Sequence, residues 1–365
     1  MPAVASHPAP SPRPSRALLG RVLDPLCLGG FSLLVPLGVM ALLSGGLSRQ
    51  LLARAEHWVA VLIVLPHFLS SYQLLYWDYR RRLAQPRLFA VAAAVPLGLA
   101  ALLASVFLSK APVVPLWVIV QAMFFLSGWH YLKQTFGCAL AGCALAGSPL
   151  DDAQRLALRA NLWALGALAY LAPNCSPRVF SFAGLTYSSL GLPQALLWLA
   201  YAALAGTAAW LLTLLAKRKT APAPAAIAAV LAFYAWSLPI LVKPDLFYTF
   251  RFVPFAAGLH SLQYLTFVGP LRWRRLERGA GGAVPLSKTL VFVGGWLLMA
   301  FALAPVLFYK APGWLDRAVS YDKVRLGPVF FVAAVHLFVN IHHYFIDSAI
   351  WRRDNEDLRA LIARP

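Results

Sequence analysis

The chain has 365 residues, of which 60% are hydrophobic and only 12% charged, too little polar surface to cover a water-soluble domain of that size. Its 32 Lys plus Arg against 13 Asp plus Glu give a formal charge of +19, but the cations fall in short runs between apolar stretches. That pattern excludes a basic nucleic-acid face on a soluble domain and points to topology signals and contacts with lipid headgroups.

Residues 1–20, rich in Pro, Ala and Ser and without an apolar core, read as a disordered tail. About ten stretches follow, at 26–47, 57–78, 88–108, 112–135, 157–173, 191–216, 223–242, 251–271, 287–309 and 328–350. Most have the length of apolar helix that crosses about 30 Å of hydrocarbon. The expected fold is all-α, a polytopic transmembrane helical bundle over residues 21–352 with a cytoplasmic tail at 353–365. Basic clusters stand at Arg80, Arg81, Arg82 and Arg87, at Lys217, Arg218 and Lys219, at Arg272, Arg274, Arg275 and Arg278, and at Arg352 and Arg353. With about ten spans they share one side with Arg13, Arg16 and Arg21, and the positive-inside rule puts both termini in the cytoplasm. The expected setting is an integral, multi-pass protein of a bacterial inner membrane. On the other side, the stretch from Lys310 to Arg325 carries Trp314 and Tyr321 beside charge, as an interfacial helix, a lid or a surface loop does. Cys27, Cys138, Cys143 and Cys175 form neither a CxxC pair nor a zinc-ribbon spacing.

Six of the eight histidines fall inside the apolar stretches, where a polar side chain is costly unless it is paired, hydrated or bound. His67, His130 and His260 lie in the second, fourth and eighth spans, and His336, His342 and His343 in the tenth. These spans all run in one direction. His67 lies 13 residues before Arg80, His260 lies 12 before Arg272, and His343 lies 9 before Arg352. That is roughly 14 to 20 Å of helix, a similar depth for each. In the tenth span, VHLFVNIHHYFIDSAIWRR, the residues His336, Asn340, His343 and Asp347 fall along one helical stripe. His342 is turned about 100° from His343 and faces either a second metal or the surroundings of the first.

Metal-ligating imidazoles need their second ring nitrogen held. Companions stand close by: Gln263 and Tyr264 after His260 in GLHSLQYL, Gln134 after His130 in GWHYLKQ, and Ser70, Ser71, Tyr72 and Asp78 after His67 in LPHFLSSYQLLYWDY. Asp78 also has Arg82 four residues away on the same face. The expected metal ligands are His67, His130, His260, His336, His342, His343 and Asp347. Gln134, Gln263, Asn340 and Asp78 are expected to hold them by hydrogen bonds, and Tyr264 and Tyr344 are the candidate catalytic donors of protons or electrons. Tyr72 and Tyr131 also lie near histidines.

Neutral imidazoles with a carboxylate suit iron, zinc, copper or manganese, as one ion or two. Iron is the first expectation, with zinc, copper or haem as alternatives. A metal centre inside a bilayer serves a lipid-like or isoprenoid substrate, for which the 12 Trp, 13 Tyr and 22 Phe supply pocket walls. The expected activity is that of a membrane oxidoreductase, an oxygenase, hydroxylase or desaturase, whose partners are membrane lipids, the apolar substrate and a redox protein. Two other readings stay open. One is a haem or copper electron carrier or oxidase, with imidazoles from facing helices as axial ligands. The other is a proton-coupled transporter in which His336, His343 and Asp347 form a relay.

Three strings resemble those of the Brp/Blh-type membrane oxygenases that cleave carotene to retinal. LPH at Leu65, Pro66 and His67 is similar to that family's LPHG-like string, WH at Trp129 and His130 to its aromatic-histidine string, and HS at His260 and Ser261 to its HSxxH-like string. The resemblance implies that His67, His130 and His260 are iron ligands. It covers about a tenth of the chain. Phe68 stands where the family has glycine, Tyr264 where it has a second histidine, and NIHHYFID has no counterpart. The HxxxH and HxxHH boxes of membrane desaturases are absent apart from the bare pair His342 and His343.

Overall fold

The computed structural model describes residues 18–35, 38, 49–76, 85–112, 114–242 and 252–352. Most of the amino-terminal tail, the carboxy-terminal tail, Asp78 and the arginines at 80–82 lie outside the described residues. A helix occupies each of the ten apolar stretches. The first, α1, is Leu23–Val35. Helices α2 (Arg49–Val59) and α3 (Leu65–Tyr76) form one rod through a π-helical turn at Ala60–Val64. Then come α4 (Pro86–Leu108), α5 (Leu116–Leu145) and α6 (Asp152–Asn174). A hairpin of β1 (Val179–Phe182) and β2 (Leu185–Ser188) leads to α7 (Gln194–Ala216), α8 (Pro224–Val242) and α9 (Phe252–Ala280). Helix α10 (Leu286–Leu298) continues through π-helical turns at Met299–Leu303 and Val306–Lys310 into α11 (Ala311–Ala318). The short α12 (Lys323–Leu326) precedes α13 (Phe330–Ile350).

Among the described residues, 5 helices are long and apolar enough to cross a membrane: His57–Tyr76, Pro86–Leu108, Gln194–Ala216, Leu286–Ala318 and Lys323–Ile350. Helices α5 and α9, at 30 and 29 residues, are longer than most of these but carry more polar residues, including His130 and His260. The packing sorts the helices by that difference. Helix α7 buries Ala200 and Leu211, α10 buries nothing, and Leu97, Trp198 and Val291 on the outer helices are 70%, 65% and 75% exposed. Such an apolar surface suits hydrocarbon surroundings and would be costly in water. The histidine-bearing α3, α5, α9 and α13 lie inside, where polar groups find partners. Helix α5 is the hub, packed against α6, α8 and α13.

Proline shapes these helices in a regular way. Four π-helical turns end two residues before a proline: Ala60–Val64 before Pro66, Ala90–Ala94 before Pro96, Met299–Leu303 before Pro305 and Val306–Lys310 before Pro312. A proline ring collides with the carbonyl four residues back and offers no N–H to it, and widening the helix by one residue relieves both problems. One carbonyl is left over each time. At the second turn the Val95 N–H bonds to Ala90 O, and Pro96 has no N–H, so Val91 O has no donor in its own helix.

Two connecting stretches carry structure of their own. The loop at 174–190 contains the β-hairpin, an addition to an otherwise all-α fold. Its turn residues Ala183 and Gly184 have φ of 46° and 80°, the left-handed pair that a two-residue hairpin turn requires. Gln121 of α5 fixes the hairpin by donating to Ser188 O at 3.0 Å and to Asn174 Oδ1 at 3.2 Å. The Lys310–Arg325 stretch is mostly helical and clamps the start of α13. There the buried Asp316 accepts from the N–H groups of Phe331 and Val332 at 2.8 and 3.1 Å and from the Tyr321 hydroxyl at 2.8 Å, a carboxylate at a helix N-terminus.

Candidate metal centre

Four helices each direct one histidine to a common point: His67 from α3, His130 from α5, His260 from α9 and His343 from α13. All four are at least 96% buried, with exposures of 2%, 4%, 1% and 0%. One ring nitrogen from each lies within 4.8 Å of all the others. Nε2 of His67 is 2.9 Å from Nε2 of His343, and Nε2 of His130 is 2.9 Å from Nε2 of His260. Asp347, one turn beyond His343, places Oδ2 at 3.5 Å from His343 Nε2 and 3.8 Å from His130 Nε2.

The partners of the remote ring nitrogens fix how the protons are arranged. Ser71 Oγ donates its only proton to Phe68 O at 2.7 Å, so towards His343 Nδ1, 2.9 Å away, it can only accept. Ser261 Oγ likewise donates to Ala257 O at 2.7 Å and accepts from His67 Nδ1 at 3.0 Å. Val64 O, the last carbonyl of the π-helical turn before Pro66, lies 3.1 Å from the same His67 nitrogen. Both imidazoles therefore carry their proton on Nδ1. Their Nε2 lone pairs point at each other with no proton between them, an arrangement that a shared cation resolves. Each serine belongs to a helix other than that of the ring it holds, so the support is interlocked: α3 holds the α13 histidine, and α9 holds the α3 histidine.

The other two rings are held by aromatic faces. His260 stacks on Tyr131 with centroids 4.0 Å apart at 20°, and His130 stacks on Tyr344 at 4.8 Å and 29°. Around them several buried polar atoms lack a close hydrogen-bond partner among the described residues: His260 Nδ1, both oxygens of Asp347, the Tyr264 hydroxyl and Trp351 Nε1, of which the last two are the donors nearest to Asp347. A buried carboxylate whose donors stand off beyond close hydrogen-bond distance gains from a cation nearby. At metal–nitrogen bonds of about 2.0–2.1 Å, the ligands of one ion stand roughly 3 to 4 Å apart. The ring nitrogens of His67, His130, His260 and His343, all within 4.8 Å of one another, are grouped closely enough to hold a metal ion after a small contraction, with the Asp347 carboxylate beside them.

A cavity of about 140 Å³ adjoins the cluster. His130, Asp347, Tyr264 and Tyr344 form its inner wall, and Trp129, Cys138, Phe267 and Trp351 make the rest largely apolar. Lys133, one turn along α5 from His130, lines it with its ammonium 4.4 Å over the Trp129 ring.

The structure thus brings together His67, His130, His260, His343 and Asp347 and leaves two of the expected ligands apart. His342 has both ring nitrogens committed: Nε2 donates to the left-over Val91 O at 2.7 Å, and Nδ1 accepts from the Tyr72 hydroxyl at 2.8 Å. His336 packs between Phe308 and Tyr309, with centroids 5.5 and 5.3 Å away. Two turns of helix, about 10 Å, separate it from His343. Gln134 supports His260 by donating to its backbone carbonyl at 2.8 Å and to Gln263 Oε1 at 3.1 Å, and Gln263 in turn donates to Leu28 O. Asn340 does not hold a ligand ring; it donates to His336 O at 2.7 Å and accepts from the Tyr344 hydroxyl at 3.0 Å. Ser261 is the supporting residue the sequence reading passed over, and Ser71, noted beside His67, serves His343 instead. The available signal was a hydroxyl residue within one turn of a histidine in an apolar stretch. Compared with protein-family models, with curated proteins and with solved structures, the chain matches none of them.

Proposed function

We propose that the chain is a multi-pass membrane oxidoreductase with a single non-haem transition-metal ion, iron first, that acts on a lipid-like or isoprenoid substrate. The observation that carries this is the facing pair of unprotonated Nε2 atoms of His67 and His343, set by Ser261 and Ser71 and joined by His130 and His260 within 4.8 Å. His67, His130, His260 and His343 would hold the ion, with Asp347 as a fifth donor. A bound redox-active metal supplies oxygen activation for hydroxylation, desaturation or cleavage.

The protein's own part is to position and to exclude. Packing inside four helices keeps bulk water from the centre, and the adjoining cavity offers an apolar chain a berth beside it. Tyr264 and Tyr344, on the wall shared by cavity and cluster, are placed to hold or pass a proton at their hydroxyls. Lys133 offers its charge to a polar end of the substrate. A porphyrin would have to pass between two axial imidazoles where the other two rings stand, which favours the non-haem reading over haem. The likeness to Brp/Blh-type oxygenases fits this assignment, since His67, His130 and His260 are the histidines of the three shared strings and His343 supplies the imidazole missing at Tyr264.

The test is metal analysis of detergent-purified protein, with oxygen uptake measured on a bacterial lipid extract. Close to one iron per chain, lost in His343→Ala and His260→Ala, is expected. Ala141→Trp, which fills the cavity, is expected to retain the metal and lose the uptake. No stoichiometric transition metal in the folded wild-type chain would overturn the proposal; stoichiometric zinc without oxygen uptake would overturn its redox part.

A further inference from the structure

The cavity beside the histidine cluster carries a charge that is no part of the cluster. Lys133 follows His130 on α5 by three residues, about 4.5 Å along the axis. Its side chain folds back, so that the ammonium stands over the ring of Trp129, the residue before His130. The charge is thereby held beside the cluster, and its field reaches His130 and Asp347. Among the described residues it has neither a hydrogen bond nor an ion pair. The Trp129 face gives an ammonium only part of what a carboxylate at contact gives. Asp347 is the only acidic side chain among the described residues of the wall, and its nearest donors are Tyr264 and Trp351. From Lys133 the cavity continues along one face of α5, past Gly137 and Ala141 at successive turns, with Cys138 and Phe267 beside them. A Cβ added at Gly137 would meet open space.

This inference rests on the metal centre proposed above. There, four neutral imidazoles and one carboxylate leave a divalent ion with a net positive charge, and Lys133 adds a second beside it. We infer that the cavity takes a single-chain carboxylic acid, its carboxylate at the Lys133 ammonium and its chain along Gly137, Cys138, Ala141 and Phe267. The alcohol of the same chain forfeits the charge pair. A phospholipid brings two chains and a bulky headgroup to a cavity of about 140 Å³. Because Lys133 holds the carboxylate next to the ligands, the carbons that lie at the centre are the first few of the chain. The preference for an acid also depends on the ion, since without it the charges of Asp347 and Lys133 offset each other.

Native mass spectrometry of the purified protein tests this with palmitic acid, hexadecanol and hexadecyl phosphate, with metal content measured on the same samples. Palmitic acid is expected to bind about tenfold more tightly than hexadecanol, the factor that a hydrogen bond between charged groups supplies. Lys133→Met, which keeps the length and removes the charge, is expected to bring the acid down to the level of the alcohol and to leave the metal content unchanged. Lys133→Arg is expected to keep most of the preference, and stripping the metal from the wild type to remove most of it. Gly137→Leu, which fills the cavity, is expected to weaken acid and alcohol alike. Lys288→Gln, which lines no part of the cavity, is the control and is expected to change nothing. Palmitic acid bound no more tightly than hexadecanol by metal-bearing wild type, or a preference unaltered in Lys133→Met, would overturn the proposal and leave the metal centre standing. Hexadecyl phosphate bound more tightly than palmitic acid would overturn the carboxylate, whereas wild type without metal would overturn the centre itself.

Discussion

His67 and His343 face each other through their Nε2 atoms at 2.9 Å, and neither nitrogen carries a proton, because both Nδ1–H groups are given to serine oxygens that have already spent their own protons on backbone carbonyls. Two lone pairs at that distance repel, so the folded protein gains from any cation placed between them. The serines thus act on the centre through the rings they hold.

The consequence for Ser71 and Ser261 is direct. Removing the acceptor of a ligand's outer N–H typically costs ten- to a hundredfold in metal affinity. Ser71→Ala and Ser261→Ala are each expected to lower affinity by about that factor while the protein still folds, as read by chelator competition. Ser71→Thr, which keeps the hydroxyl, is expected to restore most of it. Wild-type affinity in both alanine variants would show that the serines merely fill space.

Asp347 has a signature of its own. Its two oxygens are buried with only the Tyr264 and Trp351 donors nearby and none at close hydrogen-bond distance, and Oδ2 lies 3.5 and 3.8 Å from Nε2 of His343 and His130. A bound cation offsets the charge; without one, the carboxylate destabilises the fold. Asp347→Asn, which keeps the shape, should therefore act in opposite directions, stabilising the metal-stripped protein by about 1–3 kcal/mol and weakening the metal-loaded one by a similar amount. Thermal unfolding in detergent with and without the metal reads both signs. The same sign in both states would remove Asp347 from the centre.

These relationships were unevenly legible in the sequence. The helices were readable because apolar length is a one-dimensional property, and a helix lies at each of the ten stretches. The inward face of α13 was readable too, since His343 and Asp347 share a stripe. Depth was not: His336 lies on that stripe, but two turns move it about 10 Å along the axis, out of reach of any ion held by His343. His342 was ambiguous because its role depends on a carbonyl in α4 that Pro96 leaves without a donor. The serine supports were hidden for a similar reason. Sequence proximity pairs a residue with its own helix, whereas Ser71 and Ser261 each serve a histidine from another. The β-hairpin went unseen because two four-residue strands around Ala183 and Gly184 carry too little periodicity.

His342 gives the sharpest contrast with the metal ligands. Its Nε2–H bonds Val91 O at 2.7 Å, the carbonyl that the π-helical turn before Pro96 leaves over, and its Nδ1 takes the Tyr72 proton at 2.8 Å. It is therefore a clasp between α13, α4 and α3. His342→Phe is expected to cost about 1–3 kcal/mol, the usual penalty for stranding a buried polar group, with metal stoichiometry and affinity unchanged. Pro96→Ala offers a way to separate the clasp from simple packing. An alanine at 96 restores an N–H that lets α4 close into a regular helix and satisfy Val91 O internally, so His342→Phe should cost less in the Pro96→Ala background than in the wild type. The double-mutant cycle is read by chemical unfolding in detergent. Equal costs in the two backgrounds would mean that the Val91 carbonyl is not what His342 is there to serve, and loss of the metal in His342→Phe would return His342 to the ligand set.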